Sequence, residues 1–143
     1  VCRELRKDNF FKKKNVKINF FEKINFKKKY DYVHISDSLQ YMVEWKKILK
    51  KISEKKPKFI ILNNLTGGDF ETYYTEQNFY NNKLIYIFFN LDEIKKILKN
   101  YEIVHKSLFL NKIKNEYVEY PQKNFKKKDK LGFPKTVVFK FKG

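Results

Sequence analysis

Between Met42 and Ile52 apolar residues recur at Met42, Trp45, Ile48, Leu49 and Ile52. That is the spacing of one helix face, and it predicts a helix over residues 43–55. Pro57 closes it and opens "KFIILNNL", a short continuous apolar run. Such a run suits a strand buried on both faces, as in a parallel sheet. Upstream, "YDYVHIS" (residues 30–36) and "VKINFFEKI" (residues 16–24) read as strands, and the opening "VCRELRKDNFF" as the end of a helix. Gly67-Gly68-Asp69 breaks the chain after the apolar run. Residues 70–89 have no clean period and read as a long loop with one short strand; loops of this length in a compact domain are usually functional. Asn90 with Glu93 three residues on is a helix start of the capping-box kind. Leu91, Ile94, Ile97 and Leu98 then give a helix over 91–99 its apolar face, and Asn100 ends it. "YEIVHKSLFL" (residues 101–110) and the closing "KTVVFKFKG" are strands with no helix between them, which predicts an antiparallel hairpin. The order predicts an open α/β sheet, mainly parallel, in one domain over residues 1–143.

Composition changes this picture little. With 42% hydrophobic and 18% aromatic residues, the chain is not disordered despite a formal charge of +17. That charge raises nucleic acid or an acidic membrane as partners. Yet of 33 basic residues only Arg3 and Arg6 are arginines, Ala is absent, and Asn, Ile, Phe and Tyr abound, as coding in an AT-rich genome produces. The lysine runs at 12–14, 27–29 and 126–128 fall between elements and read as solvated loops. Groove readers lean on Arg for base contacts, so no specific nucleic-acid partner is expected. No apolar run approaches the roughly 18 residues of a membrane-spanning helix. No signal-peptide pattern opens the chain, and a single cysteine, Cys2, suits a reducing cytoplasm. The chain opens on Val1, as a fragment or an incomplete gene model would.

The strand at 30–36 ends in Ser36-Asp37-Ser38, and Gln40 and Tyr41 follow. Ligands of open α/β sheets bind beyond the carboxyl ends of the strands, where these hydroxyl, carboxylate and amide groups are suitable partners. Asp37 or Ser38 equally suits a helix cap. Gln40 and Tyr41 are not needed for capping, and together they favour a site. Asp69 and Glu71 follow the next strand and suit the cleft or a solvated loop equally, and Gln77 and Asn78 lie in the long loop as a lid over substrate. His34 and His105 sit within strand patterns and lack neighbours at metal-ligand spacing, so no metal is expected. Trp45 and Met42 belong to the core. No Ser-His-Asp order, P-loop or paired cysteine motif is present, and no residue is marked as a catalytic base.

Ser38-Leu39-Gln40-Tyr41, Thr75-Glu76-Gln77-Asn78 and Phe88-Phe89-Asn90 occur in this order. They resemble the SLQY, TxQN and FFN segments of a bacterial family of class I S-adenosylmethionine-dependent methyltransferases, and the resemblance covers about residue 16 to 143. It implies the C-terminal part of a Rossmann-like class I methyltransferase sheet, mainly parallel with a C-terminal antiparallel hairpin. It implies methyl transfer from S-adenosylmethionine to a small acceptor, with a sugar or glycan precursor as the suggested class. Ser36, Asp37, Ser38, Gln40 and Tyr41 would bind cofactor, and Gln77, Asn78 and Asp69 would bind substrate. The family's Gly-rich turn has no counterpart here, since the glycines are only at 67, 68, 132 and 143. The resemblance therefore implies that the N-terminal cofactor-binding strands are missing and that this chain alone is inactive. The strand at 30–36 would then be an exposed edge open to self-association. Two other readings stand beside it: a basic nucleic-acid-binding module, and a non-catalytic truncated remnant.

Overall fold

The computed structural model describes residues 26–110, 112–113, 116–117, 122 and 124–143. The helical reading of residues 1–11 and the strand reading of 16–24 lie outside them. In chain order the elements are β1 (Tyr32–Ser36), a 3₁₀ turn (Leu39–Tyr41), α1 (Trp45–Glu54), β2 (Phe59–Leu65), β3 (Gly67–Gly68), β4 (Tyr73–Phe79) and β5 (Asn82–Asn90). There follow α2 (Leu91–Ile97), β6 (Tyr101–Leu108), β7 (Lys112–Ile113), β8 (Glu116–Tyr117), a second 3₁₀ turn (Lys127–Asp129) and β9 (Lys135–Phe141).

The strand pairing overturns the mainly parallel, Rossmann-like class I sheet. The four-stranded sheet has the order β1-β2-β9-β6, and a second sheet has the order β3-β5-β4. Among the described residues only β1–β2 and β3–β5 run parallel, whereas β2–β9, β6–β9, β4–β5 and β7–β8 are antiparallel. Among the described residues the result is a small mixed-sheet domain, dominated by antiparallel pairs and carrying two α-helices. The physical reason is connectivity. A parallel neighbour in one sheet needs a crossover, and in the four-stranded sheet only α1 provides one, between β1 and β2. The apolar run also misled: Ile60, Leu62 and Leu65 of β2 are buried, while Phe59, Ile61 and Asn63 are half-buried. One face of the strand is packed, not both.

Residues 70–89 form no loop. Most of them make an antiparallel hairpin, registered from Tyr73 against Phe88 to Phe79 against Asn82. Its turn places Tyr80 at φ 46° and Asn81 at φ 64°. Two consecutive positive φ values mark a type I′ turn, whose twist matches that of the flanking strands. Thr66 docks the hairpin on the end of β2. Its hydroxyl donates to the Ile87 carbonyl at 2.6 Å, and its carbonyl accepts from the Phe89 N–H at 2.8 Å. At Gly67 an added Cβ would stand 2.5 Å from Leu91 Cδ2, so the Leu91 side chain would have to shift to admit one.

One core joins these parts. Trp45, Leu49 and Ile52 of α1 meet Leu91, Ile94 and Leu98 of the α2 region over Ile60, Leu62, Val137 and Phe139 of the sheet. Asn90 caps α2, its side-chain oxygen accepting from Asp92 N at 2.8 Å and Glu93 N at 3.1 Å. The other half of the capping box is replaced. The Asn90 N–H donates to Thr72 Oγ1 at 2.9 Å, and Glu93 pairs with Lys46 at 2.7 Å, tying α2 to α1.

Tyr101 is buried in this core, and its hydroxyl finds no partner among the described residues. Burial pushes its pKa up to about 12, and burial does the same for Tyr73. Unfolded tyrosine titrates near 10, so the folded state holds these protons more tightly. Their stabilising contribution is complete below pH 10 and is lost as pH rises from about 10 to 12. Lys135 has the opposite sign: burial and then Lys106 hold its pKa below the ordinary value. Tyr101→Phe deletes an unpaired buried group. It is expected to change stability by less than about 1 kcal/mol at neutral pH and to move alkaline unfolding to higher pH. Urea melts between pH 7 and 11 measure both.

Candidate functional site

The carboxyl ends of β1 and β2 are tied together by polar side chains. Ser36 lies opposite Asn63. Asn63 Nδ2 donates to Ser36 Oγ at 3.3 Å, and Thr136 Oγ1 at the start of β9 donates to Asn63 Oδ1 at 2.5 Å. Both strands then turn through left-handed residues, Asp37 at φ 50° and Asn64 at φ 52°. Asp and Asn tolerate that conformation better than other non-glycine residues. The β2–β9 register shifts between Leu62 and Leu65, and such irregularities often adjoin functional sites.

Neither Asp37 nor Ser38 caps a helix. Ser38 precedes the 3₁₀ turn without a side-chain capping bond, and α1 begins after Glu44, which makes none either. Asp37 instead accepts a 2.6 Å hydrogen bond at Oδ1 from Gln40 Nε2. Gln40 is 1% exposed, and a bond this short to a carboxylate is of the strong, charge-assisted kind. Leu39, equally buried, anchors the turn in the core. Gln40 thus positions Asp37 and is itself closed to ligand, while Ser36 and Asp37 are exposed at the strand end.

Tyr41 connects this strand end to the hairpin. Its hydroxyl donates to Gln77 Oε1 at 3.0 Å, and its ring packs edge-to-face on Tyr86 at 5.2 Å. Burial, with the Asp37 charge second, raises the Tyr41 pKa, so the phenol stays a donor. Gln77 is not in a lid. It lies on β4 opposite Leu84, and Asn78 follows opposite Lys83. The hairpin contributes Thr75, Glu76, Gln77, Asn78, Tyr86 and Phe88 to the lining of a cavity of about 330 Å³, which Gln122 and Phe125 complete. Gln122 is 5% exposed and fully engaged: Nε2 donates to Tyr73 Oη at 3.1 Å, and Oε1 accepts from Leu131 N at 2.7 Å. Tyr73 Oη donates in turn to the Asp129 carbonyl at 2.7 Å.

The structure therefore brings Ser36, Asp37, Gln40, Tyr41 and Gln77 into one neighbourhood and places Asn78 beside it. Asp69 is exposed near Lys135, whose pKa it influences, and does not line the hairpin cavity. Ser38 borders a different cavity, also of about 330 Å³, along β1 and α1, with Val33, His34, Ile35, Met42 and Ile48. That space is apolar and carries few convergent polar groups. His105 bonds Ser107 at 3.0 Å, and no cluster of metal-binding side chains occurs among the described residues.

Asn63, Thr136, Tyr86, Gln122 and Phe125 escaped sequence reasoning, and Phe88 was visible only as part of the FFN segment. A polar pair closing an apolar run, as in "IILNN", was a signal for Asn63. Gln122 and Phe125 gave none, since only tertiary contact places them over the hairpin. Lys46, Lys47, Lys50, Lys56, Lys96 and Lys99 line a groove at the two helices, away from the polar strand end. No protein-family model matches this chain, and no curated protein matches it either.

Proposed function

We propose that this chain serves S-adenosylmethionine-dependent methyl transfer to a small acceptor. One observation carries the reading: the Tyr41–Gln77 hydrogen bond joins the SLQY and TEQN segments, far apart in sequence, and Gln77 also lines a ligand-sized cavity. The groups present fit one side of the cofactor. Asp37, held by Gln40, and the Ser36 hydroxyl offer acceptors and a donor for its polar atoms. No Gly-rich turn or second carboxylate completes the cradle among the described residues. When bound, S-adenosylmethionine supplies an activated methyl group; the chain's contribution is position, which is the main protein requirement for such a transfer.

No helix among the described residues is long and apolar enough to cross a membrane, and we place the activity in the cytoplasm. Tyr32 on β1 is 62% exposed, and β1 has no strand on its outer side among the described residues. An open edge of this kind pairs readily with another strand, and self-association of two copies through β1 belongs to the proposal. The nucleic-acid alternative rests on the lysine groove at the helices. Among the described residues no aromatic ring lines that groove, and stacking is what single-strand binding needs.

Ultraviolet crosslinking with methyl-labelled S-adenosylmethionine tests the reading. Trypsin cuts after Lys29 and Lys46, so label is expected in the peptide of residues 30–46. Label confined to lysine-groove peptides, or no label at all, would contradict it and favour the nucleic-acid module or the remnant.

A further inference from the structure

We propose that the groove between α1 and α2 binds a compact, multiply phosphorylated anion. This site is separate from the polar end of β1, and nothing in it depends on methyl transfer. Three observations point to the ligand. First, cations flank the groove from both helices. Lys46, Lys47 and Lys50 line it from α1, Lys96 and Lys99 from the α2 side, and Lys56 from beyond the end of α1. Glu54 is the carboxylate of the lining, so lysines outnumber carboxylates there six to one. Lys46 is held by Glu93 at 2.7 Å and Lys47 by Glu44 at 2.8 Å. Both ammoniums are largely exposed, and surface pairs of this kind contribute little, so both stay open to a stronger anion. Ammonium groups are point charges that meet a tetrahedral phosphate from any direction, whereas planar carboxylates gain most from the arginine fork.

Second, the occupant must be compact. The groove holds about 700 Å³, inside the range of roughly 300–1,000 Å³ of small-ligand sites. Helices that pack side by side stand about 8–10 Å apart, and a duplex is too broad to enter between them. A partner helix would need an apolar stripe to pack against, and Ile97 is the one aliphatic residue of the lining among the described residues. Third, the chain keeps a lysine where the backbone favours glycine. Lys56 has φ 50° directly after the α1 cap residue, a position that glycine takes most often. Its ammonium lies 5.9 Å from the Phe141 ring centroid, at the outer limit of a cation–π contact. The carbonyl end of α2 repels anions, and Lys142 Nζ, 3.4 Å from the Lys99 carbonyl, offsets that field.

Calorimetric titration of the full chain with tripolyphosphate, inorganic phosphate, an octaglutamate peptide and a short DNA duplex tests this, with ¹⁵N amide shifts read alongside. Tripolyphosphate is expected to bind about tenfold tighter than phosphate, each added phosphate gaining about one surface ion pair. The largest shifts are expected at Lys50, Lys96 and Lys99. Lys50→Gln and Lys96→Gln are each expected to weaken tripolyphosphate binding about threefold, and Glu54→Gln to strengthen it about twofold. Lys56→Gly is expected to weaken it about threefold without lowering the urea midpoint, since glycine accepts the left-handed backbone freely. Lys140, exposed on β9, is the control: Lys140→Gln removes the same charge and is expected to leave affinity unchanged. Equal affinity for phosphate and tripolyphosphate would overturn the assignment. So would tighter binding of the peptide or the duplex at equal charge, unchanged affinity in the groove variants, or an equal loss in Lys140→Gln.

Discussion

Phe89→Ala is expected to destabilise the domain by about 3–5 kcal/mol, a large part of the roughly 5–15 kcal/mol that holds a typical domain folded. Phe89 is fully buried and meets Trp45 edge-to-face at 4.9 Å. Its backbone N–H is also the link to Thr66, and the next residue caps α2. The substitution therefore strikes the point where the hairpin, both helices and the end of β2 meet. Trp45 provides the readout. It is the only tryptophan and is fully buried, so its emission shifts to the red on unfolding. Urea melts followed at that band should show a much lower midpoint for the variant. A loss below about 1 kcal/mol would mean that the hairpin is not integrated into the core.

The second large effect concerns Asp37 and Gln40. Asp37→Asn keeps an oxygen for the Gln40 amide, and the fold should persist. A carboxylate acceptor is roughly twice as strong as a neutral one, so its loss should lower cofactor affinity about tenfold. Gln40→Ala removes the group that holds Asp37 and leaves a hole at a site 1% exposed. It should lower affinity similarly and also cost about 1–3 kcal/mol of stability. The pair separates contact from positioning. Amide-shift titration and urea melts supply both numbers; an Asp37→Asn variant that binds as well as the parent would remove Asp37 from the site.

Where the chain's pattern was local, the sequence was readable. The faces of α1 and α2, the Asn90 cap and the strands at β1, β2, β6 and β9 follow from spacing and turn chemistry. The hairpin was not readable, because Glu76, Gln77 and Asn78 interrupt its apolar alternation. Its turn signal is Tyr80-Asn81, not a glycine pair, and tyrosine seldom adopts a positive φ. The sheet direction was misread for a related reason. "FIIL" is apolar at every position, yet only alternate residues are buried, and continuous apolarity does not distinguish one packed face from two. At the site, Ser36 and Asp37 were visible as polar groups ending a strand. The distinction between Gln40 as support and Tyr41 as bridge depends on burial and on a partner 36 residues away, which no local pattern encodes.

The central claim is that the polar end of β1, joined to the hairpin by Tyr41 and Gln77, is where ligand binds. Titration of the ¹⁵N-labelled chain with S-adenosylmethionine, read as amide shift changes, tests it most directly. The expected result is weak binding, with Kd of about 1 mM, and the largest shifts at Ser36, Asp37, Ser38 and Tyr41. Largest shifts at Lys46, Lys50, Lys96 and Lys99, or no shifts at saturating cofactor, would contradict the account.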